Sequence, residues 1–236
     1  MIARPVHRHH GFCLLAGYLA VVGAFISTGI TGAMAQEEAV EETGVYGFMR
    51  VDTDFLGTQI WFGATHQLGT LEINSDIYLV DATGEFDIGP SFPFGENLTL
   101  LPMVGIVFDF GSTNVATFVP QFYVYWASGK LYLESWEMVY IGLRDESPPN
   151  SFYDRTFLLY SLSGALSVGP QLELSLNLED TEDGSDTLTS LAVGPRANLG
   201  YGEGNTLGLF LGYETKEEAR GENDGIVGRF TFIREW

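Results

Sequence analysis

Apolar and polar residues alternate with a period of two along most of this chain. In residues 166–179, Leu166, Val168, Pro170, Leu172, Leu174, Leu176 and Leu178 share one parity, while Ser167, Gly169, Gln171, Glu173, Ser175, Asn177 and Glu179 share the other. Successive side chains of a β-strand point to opposite faces, so such a segment has one oily and one polar side. Residues 71–79, 85–92, 190–201 and 207–214 repeat the pattern. No stretch carries the 3.6-residue period of an amphipathic helix.

Cutting at turn signals predicts about twelve strands: 45–55, 58–68, 70–81, 84–94, 98–110, 113–127, 130–144, 152–163, 165–179, 187–202, 205–216 and 225–236. Connections after the even-numbered strands are short. Several after odd-numbered strands are longer and charged: 145–151, 180–186 and 216–224. Short turns at one end and longer loops at the other suit an outer-membrane barrel with periplasmic turns and extracellular loops. Aromatic residues near strand ends, among them Tyr46, Phe48, Trp61, Phe62, Phe92, Phe94, Phe122, Tyr125 and Trp126, fit interfacial girdles. A water-soluble β-sandwich or lipocalin-like barrel shares the alternation, with its apolar face turned inward to a core. Pro90, Pro102, Pro120, Pro170 and Pro195 fall within the strands, and each removes a ladder donor. Bulges or bends are expected there, and ten strands result if two segments are broken.

Residues 1–35 contain no Asp or Glu and read as a cleaved secretory signal. Arg4 and Arg8 lie in a basic start, residues 12–26 are apolar, and Ala33 and Ala35 precede Gln36 in A-x-A positions. The expected organisation is a signal peptide at 1–35, a short periplasmic segment at 36–44 and a barrel at 45–236. The whole chain of 236 residues has a formal net charge of −20 and a pI near 4.3. That excludes a basic nucleic-acid footprint. Beyond residue 35, nine basic residues face all 31 carboxylates, and Cys13 and three of the four histidines are gone. A chain without cysteine is held by its hydrogen-bond ladder and packing, with no disulfide framework.

The last residues, GRFTFIREW, place Phe230, Phe232 and the terminal Trp236 on one strand face. This resembles the C-terminal strand signature of bacterial outer-membrane β-barrel proteins. The resemblance implies a closed antiparallel transmembrane β-barrel, insertion by the barrel-assembly machinery and a Gram-negative outer membrane, with its lipid and surface glycolipid as surroundings. The physics of the bilayer agrees, because an exported β-protein can span lipid only as a closed barrel whose backbone groups are all paired.

If the apolar faces meet lipid, the polar faces line the lumen. The candidates are Arg50, Glu72, Asp76, Glu85, Asp87, Asp109, Glu173, Arg196, Glu214 and Arg229, with Gln171 and Asn198 beside them. Rings of charge set pore selectivity, and acids outnumber arginines here, so an open lumen should favour cations. The other reading has these groups pairing as ion bridges that fill a closed barrel of structural or surface-interaction role. No catalytic, cofactor or metal site is expected. His66 has Ile60, Phe62, Ala64 and Leu68 as parity mates, an apolar face that suits a membrane interface. The acids at 179–186 lack EF-hand spacing and read as a solvated loop. In residues 130–144, Glu134 and Glu137 have opposite parity, so either a bulge intervenes or one of them lies near a strand end.

Overall fold

The computed structural model describes residues 43–54, 57–111, 114–144, 147–179, 187–220 and 225–236. The expected signal segment, the 36–42 part of the periplasmic segment and the acidic loop at 180–186 lie outside these residues. Twelve strands form the barrel: β1 (Thr43–Asp54), β2 (Gly57–Leu68), β3 (Leu71–Val80), β4 (Thr83–Phe94), β5 (Leu98–Asp109), β6 (Asn114–Ser128), β7 (Leu131–Gly142), β8 (Ser151–Ser161), β9 (Leu166–Asn177), β10 (Leu188–Tyr201), β11 (Asn205–Glu214) and β12 (Ile226–Glu235). Each pairs antiparallel with its sequence neighbours, and β1 pairs with β12 to close the ring. The seam registers Phe48 against Glu235 and Thr53 against Phe230. Reciprocal backbone bonds of 2.9 and 3.0 Å join Gly47 and Trp236 at its lower end. A Cβ at Gly47 would collide with the Trp236 indole, so glycine there gives the terminal ring its seat.

The apolar parity faces outward. Phe62, Phe86, Ile88, Val104, Ile106, Val193, Leu209, Leu211 and Phe230 are all exposed. A water-soluble barrel would have buried this set, so the sandwich and lipocalin readings fall. At the periplasmic ends of the even strands, Phe94, Trp126, Tyr160, Tyr201 and Trp236 form one aromatic girdle. Phe48, Trp61 and Tyr125 are not part of it. They line the lumen: Phe48 shares its parity with Arg50, and β2 and β6 carry aromatics on both parities, so that register alone decides their side.

The periplasmic turns are tight. Gly69, Gly95, Gly129 and Gly202 take φ near +60°, a conformation that favours glycine, in four of the five turns. On the other end, the connections after β1 and β3 are as short as these turns, and the long ones, 143–150, 178–187 and 215–225, all lie in the β7–β12 half.

The prolines do not shift the register. Pairing slips by one residue only between Val107 and Phe108 in β5–β6 and between Leu188 and Ser190 in β9–β10. Instead, the strands buckle. Pro170 faces Pro195 across β9 and β10, and the β4–β5 register sets Pro90 opposite Pro102. Three of these prolines follow a glycine: Gly89, Gly169 and Gly194. At each, a neighbouring strand's carbonyl (Pro102, Leu158 or Leu211) occupies the space a Cβ would need. A carbonyl whose partner strand offers proline has no donor to hold it in the ladder, and glycine leaves room for it to swing inward. Gly194→Leu should therefore destabilise the folded barrel by about 1–3 kcal/mol, as overpacking does. Gly164→Ala, at a turn glycine with open space around it, should leave stability within about 0.5 kcal/mol. The shift from folded to unfolded mobility of heated samples on denaturing gels measures both.

Candidate functional site: a charged waist between two cavities

Inward parity gathers the charged residues at mid-height. Asp52 on β1 is at the centre, fully buried, with Arg50 Nη2 at 3.0 Å, Arg155 Nη1 at 2.9 Å and Arg229 Nη1 at 3.7 Å. Arg155 comes from β8, on the far side of the lumen from β1. Arg229 on β12 also reaches Asp54 at 2.8 Å, Glu173 at 2.9 Å and Gln59 at 3.3 Å. The Gln171 amide donates to Glu173 at 2.6 Å and accepts from Arg196 at 2.7 Å. Arg50 extends the network to Glu134 at 3.7 Å, which accepts the Tyr132 hydroxyl at 3.0 Å. A buried ion pair is stable only when further hydrogen bonds satisfy its remaining groups, and this network supplies many of them.

Arginine faces that are not fully hydrogen-bonded lie on rings. The Arg155 guanidinium sits 4.8 Å from the Trp136 ring, Arg50 5.3 Å from Trp61, and Arg196 4.3 Å from Phe157. Arg155 Nε and Nη2 have no hydrogen-bond partner among the described residues, which leaves the indole as the feature opposite that face. Trp61 on β2 and Trp136 on β7 come from opposing walls and meet edge to face, ring centroids 6.1 Å apart. Tyr78 stacks on Trp61 at 4.4 Å and Tyr123 on Trp136 at 5.4 Å. Aromatic side chains thus span the lumen from β3 to β6.

A second polar group lies on the β3–β6 wall. The Trp136 indole N–H donates to Gln121 Oε1 at 2.9 Å, which fixes the Gln121 amide so that its NH₂ points at Glu85, 2.7 Å away, and Asp87. Asp76 faces Asp87 across the β3–β4 ladder. Gly105 makes the space: a Cβ there would strike the Asp87 carboxylate. The arginines of β1, β8 and β12 thus pair with acids on β1, β7 and β9, while the acids of β3 and β4 form a separate group around Gln121.

Above and below this waist the lumen widens. The periplasmic cavity is about 570 Å³ and is lined by Phe48, Trp61, Tyr123, Tyr125 and Trp136, with Glu72, Asp76, Glu134 and Glu235 against a single arginine, Arg50. The outer cavity is about 290 Å³, with Asp54, Glu173 and Glu214 against Arg229. Between them Val119, Phe210, Gln121, Arg155 and Gln171 are at most 1% exposed, so side chains close the waist.

Of the residues read from sequence, Arg50, Asp76, Glu85, Asp87, Glu173, Arg196 and Arg229 come together at the waist. Glu72 lines the lower cavity and Glu214 the upper one, where Glu214 accepts from the Leu191 and Lys216 amides and the Ser190 hydroxyl. Asp109 lies at the outer end of β5, where it accepts the Gly111 amide at 2.7 Å. Asn198 receives Arg196 Nε at 2.8 Å. Asp52 and Arg155 were not expected. Asp52 shares its parity with Arg50, a signal that was available. Arg155 was not legible, because β8 is mixed on both faces and its parity mates, Tyr153, Phe157 and Leu159, are mostly apolar. His66 faces outward, Nε2 3.1 Å from the Ser75 hydroxyl. Among the described residues, no three potential metal ligands are grouped to hold an ion.

These features define a class. A closed antiparallel barrel with an apolar exterior, an aromatic girdle and a charged interior is an outer-membrane β-barrel. Solved structures with the same fold include the KdgM porin, at TM-score 0.51 and 9% identity over 81% of this chain and 98% of that one. The NanC porin superposes at TM-score 0.52 and 8% identity, over 80% of this chain and 98% of that one. No family model matches the sequence, and neither does any curated protein.

Removing one partner of a buried ion network leaves the others uncompensated, at a cost of about 3–5 kcal/mol. Asp52→Ala should therefore lower the unfolding midpoint sharply, whereas Asp52→Ala with Arg155→Met should recover part of the loss. A double-mutant cycle on gel-monitored unfolding tests this.

Proposed function

We propose that the barrel is a passive passage and binding barrel for small solutes, with cationic species preferred, and that it works without a cofactor or a chemical step. The observation that carries this reading is the charge of the two cavities. Together they set Arg50 and Arg229 against seven carboxylates: Glu72, Asp76, Glu134, Glu235, Asp54, Glu173 and Glu214. A cation entering from either end meets acceptors and aromatic faces. An anion meets carboxylates first, since both arginines are already engaged. The rims set the sign of the preference, and the waist sets the rate. Passage requires the Trp61–Trp136 contact and the Asp52–Arg155 bridge to part, so the closed form described here is the low-conductance state.

The filled waist favours a second reading, a permanently closed barrel with a structural or surface-interaction role. Conductance in planar bilayers separates the two. On the channel reading the protein gives discrete openings, and a potassium chloride gradient gives a reversal potential of cation-selective sign. Trp61→Ala with Trp136→Ala should raise the conductance several-fold without changing that sign. Folded protein that stays silent in both forms would establish the closed reading, and anion selectivity would overturn the charge argument.

A further inference from the structure

The wall of the periplasmic cavity already holds one guanidinium. Arg50 lies 5.3 Å from the Trp61 ring, gives Nε and Nη2 to Asp52 at 3.2 and 3.0 Å, and turns Nη1 toward Glu134 at 3.7 Å. An aromatic face beside carboxylate oxygens is how a flat organic cation is recognised. Glu134 serves there because it turns inward. Its neighbour Glu137 turns outward, midway along β7, and both β7 ladders keep constant register through the two residues. Neither a bulge nor a strand end, the two expectations from sequence, accounts for the pair. On the outer wall Ser135 Oγ is 2.7 Å from Glu137 and 2.6 Å from Thr156 Oγ1, which is 3.0 Å from Asp154.

Asp76 on β3 faces the same cavity under a different condition. It is 9% exposed and lines the cavity at its inner end. Among the described residues no arginine, lysine or histidine forms an ion pair with it, and no N–H or hydroxyl donates to it. The group it touches across the β3–β4 ladder is the carboxyl of Asp87, an acceptor like itself. The Gln121 amide is committed to Glu85 and Asp87. A buried acceptor without a donor is costly, and the cavity is the side from which a donor can reach this one. Flat rings lie nearby. Tyr125, Tyr123 and Trp136 form one stack, with centroids 6.0 and 5.4 Å apart and planes within 11° of parallel. Hydrogen bonds to Gln121 from the Trp136 indole at 2.9 Å and the Tyr123 hydroxyl at 3.3 Å fix the inner two rings. Leu101 and Met103 on β5 add apolar lining.

We propose that the periplasmic cavity binds an organic cation, with a primary ammonium or guanidinium head on Asp76 and an apolar or aromatic body against Tyr123, Tyr125, Leu101 and Met103. This names the solute class of the barrel, and it rests on the cation-preferring reading above. The head must carry N–H groups, because Asp76 calls for a donor and a quaternary ammonium has none. A bare metal ion calls for several oxygens around one point, and among the described residues no three potential ligands are grouped to hold one. The cavity's 570 Å³ falls within the range of small-molecule sites, and its aromatic and aliphatic lining serves a carbon skeleton. Acids also mark the way in. Glu235 is exposed at the mouth, Glu72 is half-buried, and Asp76 is buried at the inner end.

Isothermal titration of the barrel, extracted from outer membranes into detergent, tests this with phenethylammonium as the probe. Its neutral analogue 2-phenylethanol, the anion phenylacetate and ammonium chloride are the comparisons, each against a detergent blank. Phenethylammonium should bind saturably and about tenfold more tightly than 2-phenylethanol, the scale of a charge-assisted hydrogen bond. Asp76→Asn should lower its affinity about tenfold, and Tyr123→Leu with Tyr125→Leu by a similar factor. Asp109→Asn, which removes the same charge at the outer rim, should leave it unchanged. Heat-modifiability verifies folding in each, and Tyr125→Leu alone serves if the tyrosine pair fails to assemble. Equal affinity for 2-phenylethanol, or tighter binding of phenylacetate, overturns the cationic head. Unchanged affinity in Asp76→Asn overturns its seat, and ammonium chloride binding as tightly as the probe overturns the role of the body. The readout is independent of conductance. A barrel silent in bilayers that binds the probe keeps this site and loses the passage reading. One that passes potassium and binds no probe keeps passage and loses the site.

Discussion

Everything in this molecule depends on one requirement: no backbone N–H or C=O may face hydrocarbon without a partner. A sheet with free edges fails that requirement, and a ring of antiparallel strands meets it. The β1–β12 seam is therefore the decisive contact. Its six registered pairs are extended by the reciprocal Gly47–Trp236 bonds, which place the last residue of the chain inside the closure. Trp236 also adds its ring to the periplasmic girdle. The terminal aromatic thus has two physical duties, ladder closure and interfacial anchoring, and Gly47 exists to seat it.

Closure inverts the usual inside and outside. Apolar side chains occupy the outer wall, and the interior must be filled by polar residues that satisfy one another. Twelve strands enclose more volume than backbone and small side chains can fill. The chain answers at mid-height with its bulkiest inward groups: four arginines, two tryptophans and a set of tyrosines. Arginine suits this task because its planar group bonds carboxylates at its edge while its face rests on a ring. The waist is consequently both the structural core of the barrel and the place where side chains close its lumen. The two roles cannot be separated by substitution at Asp52, but they can at Trp61 and Trp136, which close the lumen without carrying charge.

The ladder also tolerates defects in a patterned way. Prolines cluster on β4–β6 and on β9–β10, and the glycines next to three of them, Gly89, Gly169 and Gly194, leave room for a displaced carbonyl. Register survives because the buckle is inward and local. Lumen glycines perform a related service, as Gly105 does for Asp87 and Gly208 for Arg196. In a wall with little spare volume, the residue without a side chain decides where the large ones can lie.

Alternation with period two, cut at turn signals, determined the strand number and the strand limits to within a few residues, because side-chain parity is a local property of each strand. The closed architecture followed from the pairing that lipid demands and from the resemblance of the C-terminal strand. Alternation also sorted most charged residues to the lumen, since an unpaired charge on the lipid side is costly. What it could not determine were distances across the barrel. That Arg155 meets Asp52, that Trp61 meets Trp136, and that the two cavities are separated all depend on which strands lie opposite each other after closure and on the shear between them. The same holds for Glu137. Parity places it on the outer wall, but only the β7–β8 register sets Asp154, Ser135 and Thr156 around it. Within one strand, position in sequence fixes the face. Between strands five apart, only the tertiary structure brings side chains into contact.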